Sequence, residues 1–333
     1  MSAPRFFLAR PLLPGFWPSL GVSLVYLHVV ILVPLLVLLW HAADLGWAQY
    51  WAAISDPRVV ASYRVTLLGA FISTVVVTLV GLLLAWVLSR YEFPGRRFLD
   101  ALIDLPFALP TAVAGLTLAT LLSPGGWIGQ LFAPWGIKIA YAFPGLVIAM
   151  IFTSIPFIVR TVQPVIEDLG HDVEEAAGTL GARPGQVFWR ITLPTLVPAL
   201  TAGASQAFIR SLGEFGATSF LARPQEPTLP VVVYRLIGSP GSQNQGMALA
   251  GGVVLAVGSA AVMLGCEWLQ TRLGPGRGGR AGATSRSDRA SAHQPIPERG
   301  TATETGRRTA GTAGEDKQTA QSRGPRTDGG ERP

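Results

Sequence analysis

The sequence predicts an all-α integral membrane protein with about six transmembrane helices. Three observations support this fold class: the mean hydropathy is +0.41, only 14% of the 333 residues are charged, and the apolar residues form long runs. Soluble domains contain roughly 25% charged residues and spread their apolar residues periodically. We therefore expect a chain that crosses the bilayer several times.

Six apolar runs approach the roughly 20 residues that a helix needs to cross the hydrocarbon core. They cover residues 20–40, 65–88, 101–122, 143–162, 196–221 and 247–268. Prolines interrupt the third run, and the charged residues Arg210 and Glu214 interrupt the fifth. These two runs are therefore expected to be the least regular of the six.

Basic residues predict the orientation, because Arg and Lys in short loops favour the cytoplasmic side. They cluster before the first run, after the second, and after the fourth, where Arg160, Arg183 and Arg190 are assigned to a loop. Both termini are then cytoplasmic. We divide the chain into a cytoplasmic N-terminus (1–19), a first transmembrane helix with its external loop (20–62), a transmembrane core (63–268) and a disordered cytoplasmic tail (269–333).

Composition also excludes several functions. The net charge of +6 resides in loops and in the tail, so we expect contact with anionic membrane lipid and no binding of nucleic acid. Cys266 is the sole cysteine and the four histidines are scattered, so no metal or redox motif is present. Asp100 and Asp104 lack a nucleophile or a histidine partner, and they are predicted to cap or anchor their helix. The chain is therefore not expected to be an enzyme.

A polar segment, 171–194, separates the fourth and fifth runs. Asp172 is a plausible N-cap, acids at Glu174 and Glu175 suit a first helical turn, and Gly181 suits a helix C-terminus. Pro184 fits the first turn of another helix. The segment thus predicts two short helices at an angle, with Ala176, Ala177 and Gly178 forming a flat face of small residues.

Two partners could cover this face. An amphipathic helix on lipid normally carries Lys and Arg on its polar face. The first helix of the segment presents acids instead, and acids are disfavoured at an anionic leaflet. A protein partner is therefore favoured over lipid.

The string Glu175-Ala176-Ala177, Gly181 and Leu193-Pro194 resembles the EAA motif of type I ABC importer permeases. The resemblance implies the fold of that group and a cytoplasmic coupling helix that contacts separate ABC ATPase subunits. The residues that it assigns to this contact are Glu174, Glu175, Ala176, Ala177, Gly181, Leu193 and Pro194. The sequence contains no GxxxxGK[ST] phosphate loop, so ATP would be bound by the partner and this chain would hold no cofactor.

Longer strings between residues 45 and 198, such as LLLAWVLSRYEFPGRRFLDALIDLPFALPTAVAGLTLATL, resemble the sulfate/thiosulfate permease subunits. The resemblance implies a bacterial plasma membrane importer of sulfate or thiosulfate, with a second, sister permease chain and an extracytoplasmic substrate-binding protein. The stretch from Phe220 to Leu236 looks more like thiamine or ferric-iron permeases. Molybdate, thiamine and ferric iron therefore remain alternative substrates, and a passive channel is the alternative from another class.

Three residues are candidates for the translocation path or its gate. Arg210 and Glu214 are four residues apart and would share a helix face, either as a structural ion pair or as part of a gate or dimer interface. Thr111 lies in a run broken by Pro and Gly, of the kind that lines transporter cavities. Close helix packing through Ala114 and Gly115 explains the same stretch equally well.

Overall fold

The computed structural model describes residues 16–223 and 225–273. The predicted N-terminal residues before this part and the tail after it lie outside the described residues. Within the described part, every regular element is helical. The first half contains α1 Phe16–Leu27, α2 Val33–Asp44, α3 Trp47–Ile54, α4 Pro57–Arg90, α5 Arg96–Ala108, α6 Thr111–Leu122 and α7 Gly129–Phe132.

The second half contains α8 Phe143–Leu169, α9 Asp172–Thr179, α10 Pro184–Val187, α11 Leu193–Leu212, α12 Gly216–Leu221, α13 Leu229–Ile237 and α14 Ser242–Leu273. π-Helical segments at His28–Leu32 and Phe188–Thr192 join α1 to α2 and α10 to α11, so each pair forms one continuous helix. A 3-10 turn at Ala133–Trp135 follows α7.

Four described helices are long and apolar enough to cross a membrane: Phe16–Asp44, Pro57–Arg90, Phe143–Leu169 and Ser242–Trp268. A fifth span is possible if α5 and α6, which are bent by 113° at the break between them, count as one. The third predicted run is therefore a broken helix pair, because Pro110 cannot continue α5. The fifth predicted run is also broken, since α11 ends at Leu212 and α12 begins at Gly216.

Helices α4, α8 and α11 form the main core, which includes Val77, Ile158, Val162 and Leu196. Small residues bring the helices close together: a Cβ added at Gly81 would lie 2.6 Å from Cγ2 of Ile158. The same three helices share a buried hydroxyl cluster, in which the Oγ atom of Ser211 lies 3.0 Å from the Oγ atoms of both Ser73 and Ser154.

Smaller clusters attach the remaining helices. Helix α12 packs on α6, and α13 packs on α14. The backbone N–H of Leu229 donates to Oγ1 of Thr66 at 2.8 Å, which ties the start of α13 to α4. Almost every described side chain of α1 and α2 is exposed, although Ala42 is buried. Helix α2 contacts α14.

One residue does not lie where the orientation argument puts it. Arg160 belongs to α8, which continues to Leu169, and the assignment of this residue to a loop was wrong. The physical reason is that hydropathy marks only the apolar part of a helix, whereas α8 extends by about two further polar turns through Gln163 and Glu167.

Candidate functional site

The loop between α8 and α11 is an ordered element with a defined end. Helix α9 stops at Thr179, and Gly181 adopts a φ of +85°. The N–H groups of Gly181 and Ala182 donate to the carbonyl oxygens of Gly178 (2.9 Å) and Ala177 (3.0 Å). This is a Schellman motif, in which glycine provides the left-handed conformation. The prediction that Gly181 ends the helix is therefore confirmed.

The start of α9 differs from the prediction. Asp172 is the first helical residue, His171 occupies the N-cap position, and no side chain caps the helix. The expectation that Asp172 is the N-cap was wrong. The reason lies in Gly170, whose φ of +63° ends α8 and leaves a single residue before α9 begins. Three acids nevertheless occupy the first turn, where the helix dipole favours them.

The second predicted short helix is the beginning of a long one. Pro184 is at the first helical position as predicted, and the N–H of Arg183 donates to Oε1 of Gln186 at 2.9 Å. The helix then passes through the π-helical segment and continues to Leu212. Pro194 has no N–H to donate, and the wide turn that precedes it accommodates this loss without ending the helix.

Arg90, at the end of α4, fastens the loop to the core. Its Nη2 donates to Oε1 of Glu174 at 2.8 Å, and its Nη1 donates to the carbonyl oxygen of Gly170 at 3.0 Å. The guanidinium also lies 5.4 Å from the ring centroid of Trp86, which meets the Phe188 ring edge to face. Glu174 therefore faces inward and positions α9. Sequence reasoning missed Arg90, which it counted only as a loop charge.

The outer side of the loop is open. Glu175, Ala176 and Gly178 are exposed, whereas Ala177 is buried, so the predicted flat face does not include Ala177. Leu180 is 88% exposed and Trp189 is also exposed. A groove of about 350 Å³ runs between α9 and α10 and is lined by Glu175, Gly178, Pro184 and Phe188 among others. Apolar side chains exposed beside a polar rim are typical of an interaction site.

The two broken helix pairs meet inside the bundle. A Cβ added at Gly115 of α6 would lie 2.5 Å from Cα of Ala217 in α12, and one added at Gly216 would lie 2.0 Å from Oγ1 of Thr111. The α5–α6 break and the α11–α12 break thus pack directly against each other. We call this region, which comprises Thr111, residues 210–217 and Gly115, the helix-break junction.

Arg210 and Glu214 form the predicted ion pair, although not on one helix. Glu214 follows the end of α11, and Nη1 of Arg210 contacts its Oε2. The Glu214 side chain is 1% exposed, and its Oε1 accepts a hydrogen bond from the N–H of Ala217 at 2.8 Å. Glu214 therefore fixes the start of α12. The Arg210 side chain remains 29% exposed, which leaves several of its donors available.

Asp100 and Asp104 anchor α5, as expected, and their partner is Arg160 of α8. The sequence contains no local sign of this pairing, because the residues are 60 and 56 positions apart. Among the described residues, no three His, Cys, Asp or Glu side chains are grouped so that they could hold a metal ion.

A bundle of apolar helices with broken helices inside it and an exposed polar loop at one end defines a membrane-embedded transport permease. The family described as "Binding-protein-dependent transport system inner membrane component" matches residues 77–275, and the chain belongs to this family.

Curated relatives include the sulfate transport system permease protein CysT of Escherichia coli (strain K12), which is 56% identical over 214 residues, or 64% of this chain and 77% of the relative. The probable sulfate transport system permease protein cysT of Chlorokybus atmophyticus is 41% identical over 258 residues, or 77% of this chain and 89% of the relative.

Solved structures share the fold. The bacterial ABC transporter that imports the acidic polysaccharide alginate contains a chain with a TM-score of 0.66 and 19% identity, covering 78% of this chain and 96% of that chain. The inward-facing MetNI methionine ABC transporter gives a TM-score of 0.51 at 17% identity, covering 66% of this chain and 100% of that chain. At these identities the likeness shows the fold alone. The predicted all-α permease fold is confirmed.

Proposed function

We propose that this chain forms one half of the translocation path of an ATP-driven importer for sulfate or thiosulfate. The observation that carries the proposal is the 56% identity over 214 residues to a protein named as a sulfate permease. Arg90 holds the exposed loop at α9 in place from inside, and the loop provides a surface that an ATPase subunit could bind. Neither a resident cofactor nor a nucleotide site is expected in this chain.

The loop would receive a separate ABC ATPase subunit. Glu175 and Ala176 are exposed and would touch the ATPase, together with the exposed Leu180. Behind this surface, Glu174 and Ala177 hold α9 in place. Gly181, which is exposed, ends α9, and Leu193 and Pro194 begin α11.

Substrate would pass the helix-break junction. A tetrahedral oxyanion needs hydrogen-bond donors and benefits from one cation. The exposed part of Arg210 supplies the cation, and Thr111, at the first position of α6, supplies a hydroxyl beside the break. Glu214 keeps Arg210 in place and caps α12, so its role is to position the junction.

The remaining partners follow from the family. A sister permease would complete the path, and an extracytoplasmic binding protein would deliver the anion. In the bacterial plasma membrane, the α9 loop and both termini would face the cytoplasm, where basic residues are favoured. Alternating access would arise as the ATPases move the α9 loops and the two permease chains rock against each other.

Uptake of radiolabelled sulfate in a bacterial strain that lacks its own sulfate importer tests the substrate. The strain would express the chain with its sister permease, ATPase and binding protein. Unlabelled thiosulfate should suppress the uptake, whereas thiamine and ferric iron should leave it unchanged. A strain expressing the Walker A lysine variant of the ATPase serves as the control. Uptake of molybdate, thiamine or iron without uptake of sulfate would reassign the substrate.

A further inference from the structure

A cluster of polar side chains joins α5 to α8, apart from both the loop and the junction. Nε and Nη2 of Arg160 donate to the two carboxylate oxygens of Asp104 at 2.9 and 2.6 Å. Nη1 donates to Oδ1 of Asp100 at 2.8 Å and to Oε1 of Gln163 at 3.0 Å. A single planar guanidinium holds all three partners, and a lysine cannot reproduce its two parallel hydrogen bonds to Asp104. We call Arg160, Asp100, Asp104 and Gln163 the Arg160 clamp.

The clamp is connected to the α9 loop by a row of polar contacts. Nε2 of Gln163 donates to Oε1 of Glu167 at 3.0 Å, and the carbonyl oxygen of Glu167 accepts from the N–H of Gly170 at 3.2 Å. The carbonyl oxygen of Gly170 accepts from Arg90, which also holds Glu174 of α9. These contacts form a continuous path from α9 to the end of α8 that carries the clamp.

Pro164 lies between the clamp and the loop. Proline cannot donate the backbone hydrogen bond that would end on the carbonyl of residue 160, so this turn of α8 is weakened. The side-chain bond between Gln163 and Glu167 spans the same turn. This side-chain bond links the parts of α8 before and after Pro164.

At its other end the clamp reaches the helix-break junction. Helix α5 runs from the clamp to the break that bends it by 113° from α6, whose first residue, Thr111, contacts Gly216. Few apolar residues attach α5: Ile103 is its buried residue, Leu99 packs against the main core, and Phe107 meets Phe157 edge to face. The clamp therefore adds a polar attachment of α5 to α8 beside these apolar contacts.

We infer that the Arg160 clamp is a positioning element that transmits movement of the α9 loop to the helix-break junction. The inference rests on the transport function proposed above, and the clamp itself touches no substrate. The charged side chains Arg160, Asp100 and Asp104 are 33% to 46% exposed. Partly exposed ion pairs contribute less to folding stability than buried ones, and the apolar contacts of Ile103 and Leu99 with the main core remain when the clamp is lost. Loss of the clamp should therefore leave the fold intact and disconnect the loop from the junction.

The test uses the whole complex in proteoliposomes, with Arg160→Lys in this chain. This variant keeps the charge and loses the fork geometry. Assembly with the ATPase should be unchanged, and the ATP hydrolysed per sulfate transported should rise at least about fivefold, the lower end of typical coupling between sites. Arg97→Lys, on an exposed position of α5, is the matched control and should keep the wild-type ratio. A wild-type ratio in Arg160→Lys overturns the inference.

A second readout does not depend on the substrate. Spin labels on cysteines introduced at the exposed positions Ala112 and Phe220, in a Cys266→Ser background, report the distance across the junction. ATP should change this distance in the wild type and should not change it in Arg160→Lys. A change that persists in Arg160→Lys overturns the inference. If the wild type takes up no sulfate, the proposed function fails. The ATP-dependent change in the spin-label distance still tests whether the Arg160 clamp transmits movement.

Discussion

Replacement of Gly181 by alanine tests whether the end of α9 is shaped for a partner. At φ +85° an added Cβ would meet no atom within 4 Å, so the substitution causes no collision. The entire penalty is conformational. A residue with a Cβ loses about 1–2 kcal/mol in the left-handed region. Since about 1.4 kcal/mol corresponds to a factor of ten, the native loop end becomes roughly 5- to 30-fold less favoured.

The affinity of the ATPase subunit for the permease should fall by up to this factor, because only permease whose loop end keeps the native conformation binds it. The measurement is ATPase binding to the permease pair in lipid nanodiscs. Gly185→Ala is the matched control: it lies in the same segment, also has open space around it, and is not in the left-handed region. It should change the affinity by less than about twofold. Wild-type affinity for Gly181→Ala, or an equal loss for both variants, would show that ATPase binding does not depend on the left-handed end of α9.

Three further substitutions test other parts of the molecule. Gly115→Val should force α6 away from α12 and abolish sulfate uptake, because overpacking against backbone costs about 1–3 kcal/mol. Gly265 has open space around it, so Gly265→Val should keep uptake, and equal uptake by both variants would contradict this prediction. Glu214→Gln should lower the melting temperature of the purified chain, since Arg210 loses its ionic partner; an unchanged melting temperature would contradict that pairing. Leu180→Ser should weaken ATPase binding without changing the melting temperature, and a parallel loss of thermal stability would show that Leu180 serves the fold instead.

The backbone preferences of single residues correctly predicted two helix ends in the loop between α8 and α11. Gly181 ends α9 and Pro184 begins the next helix because each residue restricts its own backbone. The same preferences were wrong about Asp172, since the preceding Gly170 takes a positive φ and shifts the helix start. They also missed that the second helix continues, because a π-helical turn before Pro194 cannot be recognised from residue types.

Contacts between distant residues could not be read from the sequence. Arg90 and Glu174 are 84 positions apart, and Arg160 was assigned to a loop although it lies inside α8. The prolines near residue 110 predict a break, but the 113° bend depends on how α6 packs against α12. Hydropathy locates the apolar part of each span, whereas tertiary packing determines where a helix ends and what its polar residues meet.

We propose that ATP hydrolysis by a separate ATPase, acting on the α9 loop, drives sulfate through this chain. The most direct measurement is sulfate accumulation in proteoliposomes that contain the permease pair, with the binding protein present, in the presence and absence of the ATPase subunit and ATP. We predict accumulation against a sulfate gradient that requires both the ATPase and ATP. Sulfate that equilibrates at the same rate without the ATPase would identify a passive channel instead of an ATP-driven importer.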